Sequence, residues 1–520
     1  MPTKTPTIGW LHKGLDMKIW NNPPNKRNGL QIKSFIIFCL CSYSFNAVAE
    51  SEFDAWKRGT LNEFSEYKSK QDKEFADFLK MNWIELNAFK GKPLYEEEKI
   101  VEPPVAPPVT PAKDLSDKKK ASLEKPVIVK IPEKKTPPKK QVSKPEPVLT
   151  PVKGRSININ FFGNMLALPY DKAMQKRIRG KINKETISGQ WSKLAKSDYE
   201  PLIAQLHTYQ KQLKLNDWAY ALLVNYTAKE LYPNQKNEQV LFSWFALVKS
   251  GYKSRLAYKG RSIFLLLATK QQIYAAQSLK YKGTKYYILG FDGNKQAKLA
   301  EIYTYDGDYP DSKQLFDMSL QQAIVTGKNE TKRNLEFSFS QKKYMLKTVS
   351  NKHMVDFMST YPQVHWNTYF NSNPDTLPRQ QVADQLRPNL VGLSEQEAVN
   401  FLLRFVQTSL TYATDDKQFG YEKPLFPEES LFYPASDCED RAFLFAWLVQ
   451  DLLGLDVVGL LYPGHMATAV RLNMKVNGDT FVYKGKNYLV ADPTYINANI
   501  GNAMPNFKKS KPEFIEINKI

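Results

Sequence analysis

Apolar residues recur at a spacing of 11 near the start of the chain. Phe53, Phe64, Phe75 and Leu86 form one series, and Trp56, Tyr67, Phe78 and Phe89 a second. Eleven residues make about three helical turns, so both series fall on one stripe of a nearly straight helix. A solitary helix cannot bury such a stripe. Residues 50–90 are therefore expected to form an amphipathic arm that docks elsewhere: on a second copy of itself, a partner protein, a membrane or envelope surface, or the chain's own globular part.

The pattern changes abruptly after the arm. Residues 91–154 are rich in Pro, Lys, Glu and Val, with Tyr95 as their single aromatic. Such a stretch favours polyproline II and lacks the apolar surface needed to fold, so it reads as a disordered linker. Residues 155–372 return to globular patterning. Helical runs at Tyr199–Leu213, Trp218–Leu231 and Leu241–Val248 precede strand-like runs at Ser262–Ala268 and Lys285–Leu289. The last unit, residues 373–520, opens with Ser394 and Glu397 in capping-box spacing, followed by an apolar helical face at Ala398, Phe401, Leu402, Phe405 and Val406. A second helix opens at Ser436, capped in this reading by Ser436 with Glu439, and strands follow at Val457–Tyr462, Met466–Leu472, Phe481–Lys484 and Tyr488–Ala491. Helices leading into antiparallel strands make the fold class α+β.

Composition adds a compartment. Lys26, Arg27 and Lys33 precede the apolar stretch Ser34–Phe45, and Ala47-Val48-Ala49 supplies a cleavage site, so residues 1–49 read as an export signal, with an uncleaved anchor as the alternative. Export would place the chain in the periplasm or cell envelope and discard Cys39 and Cys41, leaving Cys438 without a disulfide partner. The Lys-rich linker contributes to the formal net charge of +20, and no nucleic-acid-binding signature accompanies it. No metal-ligand cluster and no P-loop appears, so neither metal nor cofactor is expected.

The chemistry-bearing residues lie in the last unit. Cys438 falls in the first turn of an apolar helix, where unpaired amides and the helix dipole are expected to lower a thiol pKa and to offer an oxyanion donor. His465 enters a strand after Pro463-Gly464, and Asp492 ends one before Pro493. The spacings 465 − 438 and 492 − 465 are both 27. Neighbouring antiparallel strands could then set His beside Asp, facing the helix start, in the order nucleophile, base and orienter.

Three segments carry a resemblance: Ser436-Asp437-Cys438-Glu439-Asp440-Arg441-Ala442, Pro463-Gly464-His465-Met466-Ala467 and Tyr488-Leu489-Val490-Ala491-Asp492-Pro493-Thr494. Together they resemble the active-site motifs of bacterial transglutaminase-like proteins, which share the papain-like fold. The resemblance implies Cys438 as nucleophile, His465 as base and acid, and Asp492 as orienter, with Tyr412 and Asp437 lining the oxyanion or substrate site. It implies an enzyme acting on amide bonds of protein or peptide substrates. Hydrolysis is the leading expectation, crosslinking acyl transfer the runner-up, and a non-catalytic envelope module the third. The middle unit reads as a degenerate copy: Asn237–Trp244 parallels Asp440–Trp447 and Tyr281–Tyr286 parallels Tyr483–Tyr488, with Gln235 in place of Cys438 and Gly290 in place of Asp492.

Overall fold

The computed structural model describes residues 35–95, 97–107, 126–132, 154–291 and 299–519. The basic leader with Lys26, Arg27 and Lys33 lies outside them, as do the two central stretches of the Pro-rich segment. Two units are distinguished, one ending at Lys68 and the other running from Ser69 to Ile520. No helix among the described residues is long and apolar enough to cross a membrane.

Helix α1 spans Phe35–Met81. In the first unit its Trp56, Leu61, Phe64 and Tyr67 are exposed. In the second unit the same stripe is buried by the chain itself. Phe75 sits edge-on to Trp191, with ring centroids 4.8 Å apart, and to Tyr309 at 5.2 Å. The helix then stops, and Trp83–Asn87 form strand β1. The stripe therefore does not extend as a helix to residue 90. Leu86 lies in β1, and Phe89 bridges to Ser278. The alternating run from Trp83 finds its backbone partners in a sheet, which overrides the 11-residue spacing.

After a hairpin of β2 (Ser156–Phe161) and β3 (Asn164–Pro169) come four helices: α2 (Lys184–Ala195), α3 (Glu200–Gln212), α4 (Asp217–Leu231) and α5 (Lys236–Lys249). Helices α4 and α5 are apolar on nearly every face and are correspondingly buried. Strands β4 (Ser254–Lys259), β5 (Ser262–Leu267), β6 (Ser278–Tyr281), β7 (Thr284–Ile288) and β8 (Glu301–Tyr305) join β1 in a sheet ordered β1-β8-β4-β5-β7-β6. A long hairpin, β9 (Glu330–Phe339) with β10 (Lys342–Asn351), leads to three short helices, α6 (Lys352–Met358), α7 (Trp366–Phe370) and α8 (Leu377–Leu386).

The last third opens with α9 (Glu395–Ser409), whose Ser394–Glu397 capping box is formed as read. Strand β11 (Thr411–Tyr412) and the short helices α10 (Asp415–Phe419) and α11 (Pro427–Phe432) precede β12 (Ala435–Ser436), which pairs parallel with β11. Helix α12 (Cys438–Leu453) is buried almost throughout and closes on Gly454, whose φ of 66° is the left-handed conformation that ends a helix without strain. Strands β13 (Asp456–Tyr462), β14 (His465–Arg471), β15 (Thr480–Tyr483), β16 (Lys486–Ala491) and β17 (Glu513–Glu516) form an antiparallel sheet ordered β15-β16-β14-β13-β17, with α12 packed on β13 and β14. The architecture is mixed helix and antiparallel sheet, α+β.

The two sheets repeat one another. Each follows a buried helix, and β8-β4-β5-β7-β6 matches β17-β13-β14-β16-β15 strand for strand. The register agrees as well: Leu266 pairs Ile288 in the first sheet as Ala469 pairs Val490 in the second. In that correspondence Ser262 stands in the place of His465 and Gly290 in the place of Asp492. Gln235 caps α5 where the nucleophile position would fall.

The Pro-rich segment is not wholly free of the globular part. Residues 91–95 and 97–107 lie along it, and Val127 and Val129 make backbone hydrogen bonds to Glu395 and Leu393. Sequence composition misses this, because the contacts are single anchors rather than a periodic face.

Phe75→Ala is expected to destabilise the chain by about 3–5 kcal/mol, the cost of emptying a buried aromatic site. Phe64→Ala, on the exposed part of α1, should stay within about 0.5 kcal/mol. Urea unfolding of both variants checks this, and equal effects would contradict the burial described.

Candidate functional site

Cys438 is the first residue of α12 and is fully buried. The cap lies one residue later than the sequence suggests. Asp437 occupies the N-cap position and its backbone N–H donates to Asp440 Oδ2 at 3.2 Å. Ser436 is taken up by β12, and its hydroxyl accepts from Arg441 Nε at 3.3 Å. Arg441 also donates to the carbonyls of Leu410 (2.7 Å) and Gln407 (3.3 Å), tying the start of α12 to the end of α9.

His465 opens β14 opposite Tyr462, and Asp492 follows the last residue of β16. Thr468 pairs with Ala491, so extending the register sets Asp492 opposite Ala467 and diagonal to His465 on one face. His465 Nε2 lies 2.8 Å from Asp492 Oδ2. The other oxygen, Oδ1, accepts from the N–H groups of Thr494 (2.9 Å) and Tyr495 (3.3 Å), while Gln407 Nε2 donates to the Asp492 carbonyl at 3.1 Å. Phe507 stacks on the imidazole with centroids 4.9 Å apart. The ring is thus held by its edge and its face. Its second nitrogen, Nδ1, is buried and has no hydrogen-bond partner among the described residues.

The thiol is engaged elsewhere. Cys438 Sγ donates to Glu439 Oε2 at 3.1 Å and lies 3.8 Å from the Tyr95 hydroxyl; no hydrogen bond joins it to His465. Burial pushes the thiol well above its ordinary range, and the carboxylates of Glu439 and Asp437 push it further, against the opposing charge of Lys99. The helix start is expected to lower this pKa, and burial together with the surrounding acids reverses that effect.

Those acids form a buried group that the sequence does not reveal. Lys99 Nζ lies 2.5 Å from Asp437 Oδ2, 2.7 Å from Glu439 Oε1, 2.6 Å from Glu422 Oε1 and 3.3 Å from Asp415 Oδ2. Burial drives the carboxyls of Asp415, Asp437 and Asp440 well above the usual range and brings Glu422 to about 8. Burial acts the same way on Glu439 but is outweighed by the Lys99 ammonium and by hydrogen bonds from Asp437 and Glu422, which hold it at about 2. Lys99 and Glu439 thus form an ionised pair, while burial favours the neutral form of the other carboxyls. Two trios here, Asp415 with Asp437 and Asp440, and Asp415 with Glu422 and Glu439, bring carboxylate oxygens close enough to hold a cation.

Of the two weaker site candidates, Asp437 lies within this acid group. Tyr412 donates its hydroxyl to the Ile100 carbonyl at 2.6 Å, with the Arg441 guanidinium 5.2 Å from its ring centroid. Tyr95, Lys99 and Ile100 all belong to the segment read as a free linker. Its lone aromatic, Tyr95, and the short apolar run at Ile100-Val101 were the only local signals.

Because the Glu422 carboxyl is raised from its ordinary 4.5 to about 8 in the folded chain, folding binds a proton between those values. The resulting stabilisation is complete below about pH 4.5 and is lost as pH rises through about 8. Urea midpoints should therefore fall between pH 6 and pH 8.5, and Glu422→Gln should lessen that fall. An identical fall in the variant would contradict the assignment.

No family model, curated protein or solved structure matches the chain.

Proposed function

We propose that the chain is a thiol enzyme of the transglutaminase-like type, with a papain-like arrangement of helix and sheet, acting on amide bonds of protein or peptide substrates. The observation that carries this reading is the state of His465. Asp492 takes Nε2 at 2.8 Å, which leaves Nδ1 as the nitrogen free to exchange a proton with Cys438. In the reaction the Cys438 proton passes to Nδ1 and the thiolate attacks the substrate carbonyl. The developing oxyanion is met by amides of the first turn of α12, which have no intrahelical partner. His465 then returns the proton to the leaving amine, and water opens the thioester. Attack by an amine at that last step would give acyl transfer instead. A binding module that keeps the fold without the reaction is the third reading. The leader and Ala47-Val48-Ala49 support an exported, periplasmic or envelope-associated enzyme. The exposed part of α1 supports docking of the arm on a partner, a second copy or an envelope surface.

The test uses the full chain with Tyr95 and Lys99 both changed to alanine, so that the thiol is uncovered, and measures cleavage of peptide amides. Cys438→Ala in that background should abolish turnover. His465→Ala should lose nearly as much, about 10³-fold or more, and Asp492→Asn somewhat less, as members of one unit do. Turnover that survives Cys438→Ala would overturn the proposal. So would absent turnover together with Cys438 alkylation no faster than in the urea-unfolded chain.

A further inference from the structure

Residues 94–95 and 97–106 cross the candidate site in irregular conformation. Tyr95 places its hydroxyl by the thiol. Lys99 enters the acid group, and the Ile100 carbonyl takes the Tyr412 hydroxyl. Beyond them, Val105 bridges in parallel to Ile496, four residues past Asp492. The turn ahead of His465 is shaped for this crossing: Gly464 has φ of +63°, and a Cβ there would come within 2.2 Å of the Glu98 carbonyl oxygen.

We infer that the buried carboxyls of Asp415, Asp437 and Glu439, with the half-buried Glu422, form a subsite for a primary ammonium group of the substrate, a lysyl side chain, which Lys99 occupies in cis. The inference rests on the thiol-enzyme reading for the meaning of "substrate". Asp437 and Glu439 flank Cys438 in sequence, and Glu439 touches the thiol with one oxygen and Lys99 with the other. An ammonium bound here is therefore anchored beside the nucleophile.

Two further observations point to a ligand rather than to a structural ion pair alone. Four carboxyl groups meet a single ammonium, and Asp437 Oδ1, fully buried, has no hydrogen-bond partner among the described residues. When the segment leaves, these acids must take up protons or another cation. Oxygens of four separate carboxyls lie within 3.3 Å of the single Nζ, which suits the compact, three-donor ammonium better than the planar fork of a guanidinium. Held among these acids, the amine stays protonated and is no nucleophile. The subsite thus anchors the chain to be cut, rather than an amine acceptor, and favours hydrolysis over crosslinking.

The test uses the full chain carrying Lys99→Ala, or Lys99→Met if circular dichroism shows the alanine variant unfolded. Alkylation of Cys438 by iodoacetamide is followed by intact mass in the presence of Nα-acetyl-lysine methylamide, its norleucine analogue or its Nε-acetyl analogue. The lysine compound should protect at a concentration at least ~10-fold lower than either neutral analogue, as expected when a charged hydrogen-bonding partner is restored to buried carboxylates. Adding Asp415→Asn should weaken that protection. Equal protection by all three compounds, or protection by millimolar calcium but not by the lysine compound, would overturn the subsite. Peptide turnover is scored separately: lysine-selective protection without any cleavage would keep the subsite and remove the hydrolase.

Discussion

The structure around Cys438 depends on one buried cation. Asp415, Glu422, Asp437 and Glu439 come from three stretches of the last third of the chain and meet within 3.3 Å of Lys99 Nζ. Carboxylates gathered in a desolvated space repel one another unless they are protonated or paired. Lys99 supplies the pairing and keeps Glu439 ionised. That charge adds to burial in holding the Cys438 proton in place, so the ion pair that positions the covering segment also acts on the thiol. Removing one partner of such a group costs more than the pair contributes, because the remaining charges stay buried.

The repeated sheet explains how Lys99 arrives there. Strand β1 adds to the edge of the first sheet beside β8, and the chain then runs along that half before it crosses to the second. Gly91 permits the passage: a Cβ at that position would lie 2.5–2.6 Å from the backbone of Ala275 and Ala276. Tyr95 next packs on Trp366, with centroids 5.1 Å apart, and Trp366 lies near Phe443 of α12. The first half of the repeat has Ser262 and Gly290 where the second has His465 and Asp492. It serves as the platform from which the covering segment is laid across the second half.

How much of this was legible follows from which interactions are local. The apolar α12, the turn before His465 and the strand ending at Asp492 each leave a short-range pattern, and four of the five strands of the last sheet fall within about two residues of their expected bounds, while β17 is not among those expected. The cap of α12 is misplaced by one residue, because Ser436 and Asp437 are both good caps and only the pairing of β12 with β11 decides between them. Helix α1 ends early because its final repeat is claimed by the β8 edge. Lys99 is invisible from sequence for a stronger reason. A lysine in a Pro-, Lys- and Glu-rich stretch looks solvated, and its partners lie more than three hundred residues away, assembled only by the fold. The direction of the thiol shift is lost with it, since the helix-start argument knows nothing of acids brought in around it.

The most direct measurement is lysine footprinting of the native full chain with N-hydroxysuccinimidyl acetate near pH 8, read residue by residue by peptide mass spectrometry. Lys92 is exposed just upstream of the covering segment, whereas the Lys99 side chain is 8% exposed and ion-paired. The account predicts acetylation of Lys99 at least ~100-fold slower than of Lys92, since only a solvent-accessible, deprotonated amine reacts. Acetylation of Lys99 at the rate of Lys92 would contradict it.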